Sequence, residues 1–222
     1  MRNRACRTLA VSLLALAPAL AQAGSPLLCF PMATGDAASL PWGTGSGWNE
    51  PRPGYDRSHL TADTLALLGP QVHVLERMET LRRAVIYASS DGGAGQQLFP
   101  ALRTRAAEPE ASNANALAVF DLGYAVAAWR ETRGAASLAG GGPSEDGYAL
   151  IRRALTLRGT EPEMEYAAAL ASMGRTLNGP SDKHLRLAVQ GAKEGSALAK
   201  TIAAHHPLWG GRAEAYRTAA AR

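Results

Sequence analysis

Asp56, Arg57 and His59 fall within four positions of one another, next to Trp48 and Tyr55. A carboxylate, a guanidinium and an imidazole that close can relay a proton or hold a polar ligand. Glu79, Arg82 and Arg83 supply a second carboxylate and two more cations further along. Two carboxylates and an imidazole are the working parts of acid–base hydrolysis, so Asp56, His59 and Glu79 are the candidate catalytic residues. Trp42, Trp48, Tyr55, Arg57, Arg82 and Arg83 are the candidate binding residues. A structural account competes with the chemical one: a buried Asp56–Arg57 pair that ties one segment to another uses the same side chains, and it is preferred.

Other chemistry finds less support. The five histidines are His59, His73, His184, His205 and His206, and no His-Glu-x-x-His occurs. On a helix His205 and His206 would point about 100° apart, so they do not share an ion easily. His184 could approach one of them if the last helices pair. Helix-end histidines interacting with carbonyls are the expectation, and no metal is expected. Glu161, Glu163 and Glu165 cluster at a helix start, where the positive dipole end favours anions. Trp42-Gly43-Thr44-Gly45-Ser46-Gly47-Trp48 lacks the Lys-Ser/Thr ending of a phosphate loop and reads as a turn. Gly-x-Ser-x-Gly is absent, and Ser89-Ser90 reads as a helix stop. No cofactor is expected.

The elements that must position these residues follow from composition. The chain has 222 residues, 46% of them apolar, 6% aromatic and 45 of them alanine. An Ala and Leu core suits closely packed helices rather than sheets. The opening residues form an address. Arg2, Arg4 and Arg7 precede an apolar run from Leu9 to Leu20, and Ala21-Gln22-Ala23 fits a signal-peptidase site. The run of 12 is too short to span a bilayer, which takes roughly 20 residues. Cys29 lacks the small preceding residue of a lipidation motif. Residues 1–23 are therefore read as a secretory signal, and the mature chain as secreted or periplasmic with no transmembrane helix. The formal charge of +4 comes from 23 basic against 19 acidic side chains. Loss of three arginines and no acid leaves 20 against 19, so the basicity that suggests nucleic acid departs with the signal. Basic residues show no stripe interleaved with aromatics, and nucleic acid is not an expected partner. Cys6 departs as well, which leaves Cys29 as a lone thiol.

Residues 24–57 alternate proline with glycine yet hold Phe30, Trp42, Trp48 and Tyr55. They read as an irregular arm anchored on the body by its Trp rings. Residues 58–222 form the helical domain. Apolar steps and punctuation predict helices over 58–68, 72–89, 95–107 (disturbed by Pro100) and 112–132. The face of the last carries Leu117, Phe120, Tyr124 and Glu131. Glu79 falls in register with Arg82 and Arg83, as on an exposed helix face. A break at 134–143 is a possible sub-boundary. Beyond it, Ser144 is the expected cap of a helix over 144–157. Thr160 and Glu163 form an expected capping box, and Ser181 and Ser196 open two more helices. Pro207 is expected to stop the last clear one, with a frayed helix over 211–222.

Helix starts about 15 to 21 residues apart suit stacked helical hairpins. The run Leu187-Ala188-Val189-Gln190-Gly191-Ala192-Lys193-Glu194-Gly195-Ser196-Ala197-Leu198-Ala199 resembles the inter-helix turn of a Sel1-like or tetratricopeptide-like repeat. The Trp-Leu-Gly-Tyr positions of a tetratricopeptide unit are absent. The resemblance implies an α-solenoid-like array used to bind proteins. Tyr55-Asp56-Arg57-Ser58-His59 and Arg77-Met78-Glu79-Thr80-Leu81-Arg82-Arg83 are similar to a family of uncharacterised secreted bacterial proteins. The expected architecture is all-α: antiparallel hairpins in a bundle or short α-solenoid, with an irregular N-terminal arm. The leading functional expectation is a non-catalytic scaffold that binds protein. The alternative is a cell-envelope hydrolase with a carboxylate site where arm meets helices. Mass spectrometry of the exported chain should return Gly24 as the first residue; an intact residue 1–23 segment would refute the signal reading.

Overall fold

The computed structural model describes residues 24–45, 47–107, 113–132, 142–173 and 179–220. The residues read as a signal, and most of the 134–143 break, lie outside them. The described residues form an all-α protein. One 3₁₀ turn (Arg57–His59) leads into α1 (Leu60–Ala66), α2 (Val74–Ser89), α3 (Gly92–Ala106) and α4 (Asn113–Arg130). Next come α5 (Gly147–Arg158), α6 (Pro162–Ala171), α7 (Pro180–Gly191), α8 (Ala197–Ala204), α9 (His206–Trp209) and α10 (Arg212–Ala220). From α1 to α7 consecutive helices pack on one another, α4 also packs against α2 and α6, and α10 returns to α7. No described helix is long and apolar enough to cross a membrane.

Several boundaries differ from the sequence expectation, each for a local reason. Asp91 does more than follow α2. Its carboxylate accepts from Gly93 N at 3.0 Å and Ala94 N at 3.4 Å, so it caps α3, which starts three residues early. Pro100 sits inside α3 without ending it. Ser144 is not the cap of α5. Asp146 is, accepting from Tyr148 N and Ala149 N. The Thr160–Glu163 capping box does not form, because Glu163 Oε2 instead accepts from Leu75 N at the start of α2. Gly179, not Ser181, precedes α7, with Pro180 in its first turn. Ser196 caps α8 as expected, accepting from Ala199 N at 3.2 Å. Pro207 opens α9 rather than stopping a helix, since a proline needs no donor in a first turn.

α4 has little amphipathicity because nearly every described side chain along it is buried. Leu117, Phe120, Tyr124, Val126 and Trp129 all lie in the core. Its contact with α5 is backbone to backbone. A Cβ on Gly147 would come within 2.5 Å of Ala127 N and Gly123 O, and one on Gly123 within 2.9 Å of Ile151 N. Alanine fits neither position without parting the helices. Gly147→Ala should therefore cost about 3 kcal/mol, an overpacking penalty. Urea unfolding checks it; a wild-type midpoint would show that the helices separate freely.

Candidate functional site

The site is built on α2. Glu79 lies one turn before Arg82 and Arg83, and helical spacing places all three on one side. The sequence suggests an exposed face for them; in fact Glu79 and Arg82 are 1% and 0% exposed, because the arm lies over them. Arg82 grips Glu79 bidentately, Nε to Oε2 and Nη2 to Oε1, both 2.8 Å. Arg83 Nε adds a 2.7 Å bond to Oε1, and Met32 N of the arm a 3.1 Å bond to Oε2. Burial pushes the Glu79 carboxyl up, but the two guanidiniums outweigh it and hold it below the usual carboxylate range. A carboxylate with four donors is a structural anion, with no lone pair left for a substrate.

The rest of each guanidinium binds the arm. Arg82 Nη1 donates to Leu28 O at 2.9 Å and to Trp48 O at 2.8 Å, and Arg83 Nη1 to Leu40 O at 2.8 Å. Both guanidiniums lie over the Trp42 ring, at 5.3 and 5.4 Å. Trp42 meets Tyr87 edge to face. Tyr87 OH donates to Pro41 O and accepts from Arg52 N. Tyr55 stacks on Tyr87 at 4.8 Å and donates to Asp63. Trp42 and Tyr55 are thus anchors. Trp48 is not: its carbonyl is held while its side chain is 39% exposed. At the far end of the arm, Ala33 N donates to Thr201 Oγ1. His205 Nε2 lies 3.0 Å from Pro31 O, and its Nδ1 lies 2.6 Å from Tyr166 OH.

Asp56 and His59 do not join Glu79. Both are exposed on the 3₁₀ turn, 3.8 Å apart. Asp56 accepts from Ser58 N and Oγ, which hold its carboxyl below the usual range. The preferred buried Asp56–Arg57 pair is not present either. Arg57 lies over Tyr87 at 5.9 Å, and Nη1 donates to Ser90 O at 3.4 Å. His184 and His205 take different partners. His184 bonds Glu165 at 2.5 Å and Tyr148 at 3.0 Å, tying α5, α6 and α7 together.

Arm and bundle leave a cleft of about 970 Å³ between them. Leu28, Cys29, Trp48, Arg57, Ile86 and Glu131 are among its lining residues, with Gly24, Ser89, Ser90 and Thr132. Glu131 is the group sequence reasoning missed. Its Oε2 accepts from Leu27 N at 2.8 Å, and among the described residues this is the one hydrogen bond steadying its charge. Burial outweighs it and pushes the carboxyl up to about 7. Cys29 shares the wall. Burial raises its thiol, an effect that the neighbouring Glu131 adds to, so it stays protonated and poorly nucleophilic. No group of His, Cys, Asp and Glu among the described residues could hold a metal.

Deeper in, Asp121 is fully buried between α2, α3 and α4. Arg77 Nη1 donates to its Oδ2 at 2.7 Å, and Oδ1 has no partner among the described residues. Burial dominates and raises its carboxyl to about 6. Arg77 also donates to Leu68 O and Gly69 O, which fixes the α1–α2 loop.

Compared with known proteins, the chain matches no family model, no curated protein and no solved structure. The fold and cleft therefore define it: an all-α protein with an arm clamped across its second helix.

The Glu131 carboxyl has a pH consequence. Its folded value lies above the unfolded one, so between pH about 4.5 and 7 the folded state holds the extra proton. Stability should fall as pH rises through that window. Glu131→Gln keeps an acceptor for Leu27 N and removes the titration. Its melting temperature should exceed wild type increasingly from pH about 5 to 8; parallel curves would refute the assignment.

Proposed function

We propose that this is an exported, non-catalytic helical scaffold that binds a partner protein on the face where arm meets bundle. One observation carries the reading: Trp48 is held by its carbonyl at the cleft rim with its indole turned to solvent. Half-exposed tryptophan in a polar-rimmed depression is the usual anchor of a protein interface. Arg82, which holds the Trp48 carbonyl, is consumed together with Glu79 and Arg83 in holding the arm, which supports a rigid surface rather than a reaction centre at those three residues. The resemblance of residues 187–199 to a helical-repeat turn supports the same reading.

The hydrolase alternative draws on Glu131. A carboxyl near 7 in a cleft is suited to general acid–base work, and it stands where arm meets helices. The pair of carboxylates that this alternative supposed does not converge there.

Capture from envelope extract with the chain beginning at Gly24 separates the two. The scaffold reading expects defined partners whose recovery drops at least about tenfold in Trp48→Ala, a hot-spot loss. Equal capture by Trp48→Ala, or no partner together with hydrolytic turnover lost in Glu131→Gln, overturns it.

A further inference from the structure

Two long helices end at the cleft. α2 closes at Ser89 and α4 at Arg130, and Ser89, Ser90, Glu131 and Thr132 all line it. A helix C-terminus carries roughly half a negative charge. Two such ends lie beside the Glu131 carboxyl, which is itself paired with no cation among the described residues: Arg82 is spent on Leu28 O and Trp48 O. Arg57 is the one cation among the lining residues, and it is turned to Ser90 O and the Tyr87 ring. Glu131 Oε1 accepts no hydrogen bond from a described residue, so it is free to take one. Trp48 adds an exposed indole, whose face attracts cations, and Leu28 and Ile86 add apolar wall.

We propose that the cleft is an ammonium site: it takes a primary ammonium group on an apolar stem, with N–H donors on Glu131 and the stem against Trp48. The proposal rests on the binding reading and names what the cleft recognises. Two sources share that chemistry. One is a lysine or amino terminus of a partner protein. The other is the chain's own amino terminus once residues 1–23 are removed. Gly24 lines the cleft, and a Cβ there would come within 2.8 Å of Cys29 Sγ. Its α-amine would then enter the same recess.

The test uses the chain beginning at Gly24, with its amino terminus free or acetylated, at pH about 7.5 so that Glu131 is largely ionised. Each is titrated calorimetrically with phenethylamine and with 2-phenylethanol, its neutral counterpart. A partner-directed site binds the amine at least about tenfold tighter in both chains, as a charge-assisted bond requires. A self-filled site shows that preference in the acetylated chain alone. Either result supports the proposal. Equal binding of amine and alcohol, or no amine binding in either chain, overturns it. Glu131→Gln should erase the preference while keeping the Leu27 bond; an undiminished preference in a folded variant also overturns it. Trp48→Ala, at an exposed position, should weaken both compounds and stands in should Glu131→Gln not fold. Failure here alongside Trp48-dependent partner capture removes the ammonium site and leaves the scaffold reading standing.

Discussion

The structure depends on one buried carboxylate. Glu79 is taken out of water by the arm, and desolvating a charge costs several kcal/mol. Four donors offset that cost, three from guanidinium nitrogens of α2 and one from the arm backbone. The geometry is reciprocal. Glu79 holds the guanidiniums in place, and their remaining N–H groups donate to the carbonyls of Leu28, Leu40 and Trp48. An arm with so many prolines and glycines satisfies little of its own backbone. Among its described residues, one β-bridge joins Trp42 to Pro51. The side chains of α2 provide what a sheet ladder would provide elsewhere. Arg82 alone ties down both Leu28 and Trp48, which stand on two walls of the cleft, so the cleft is a by-product of the clamp.

Close helix packing sets the other side. Glycines at 123 and 147 let α4 and α5 touch along their backbones. The core around them is rich in alanine, with bulk supplied by aromatics such as Phe99, Phe120, Tyr124 and Trp129. This fixes where α4 ends, and Glu131 follows directly after. The acid of the cleft lies about one to two turns beyond that packing.

The helices were legible because apolar spacing and Gly/Pro punctuation are local signals; α2 is within two residues of its expectation. Caps were less so, since Asp146, Ser144, Thr160 and Glu163 all fit a local pattern and tertiary partners decide among them. Glu163 illustrates this, its carboxylate going to Leu75 N instead of its own helix. Residues of the site were visible by type but not by role. Glu79, Arg82 and Arg83 carry the same i, i+3 and i, i+4 spacing exposed or buried, and only the arm's path distinguishes the two. Asp56 and His59 drew attention as neighbours in sequence, yet proximity of that kind only made a capped turn. Glu131 left one trace, a glutamate finishing an otherwise apolar helix face. Asp121 left none, because its partner Arg77 is 44 residues away.

The arm's far fastenings bear on the order of assembly. Ala33 is bonded to Thr201 and Pro31 to His205, spans of 168 and 174 residues. Closing such long loops is entropically slow, so contacts of this separation form late. The first part of the chain to emerge is therefore among the last to settle. Until α8 arrives, the arm is fastened to α2 and to the end of α4, but not at Pro31 and Ala33. For a chain threaded across a membrane amino end first, as the export reading has it, that delay is useful. The leading segment has no complete surface on which to fold while the rest is in transit, and the molecule locks shut only after its carboxyl-terminal helices have followed.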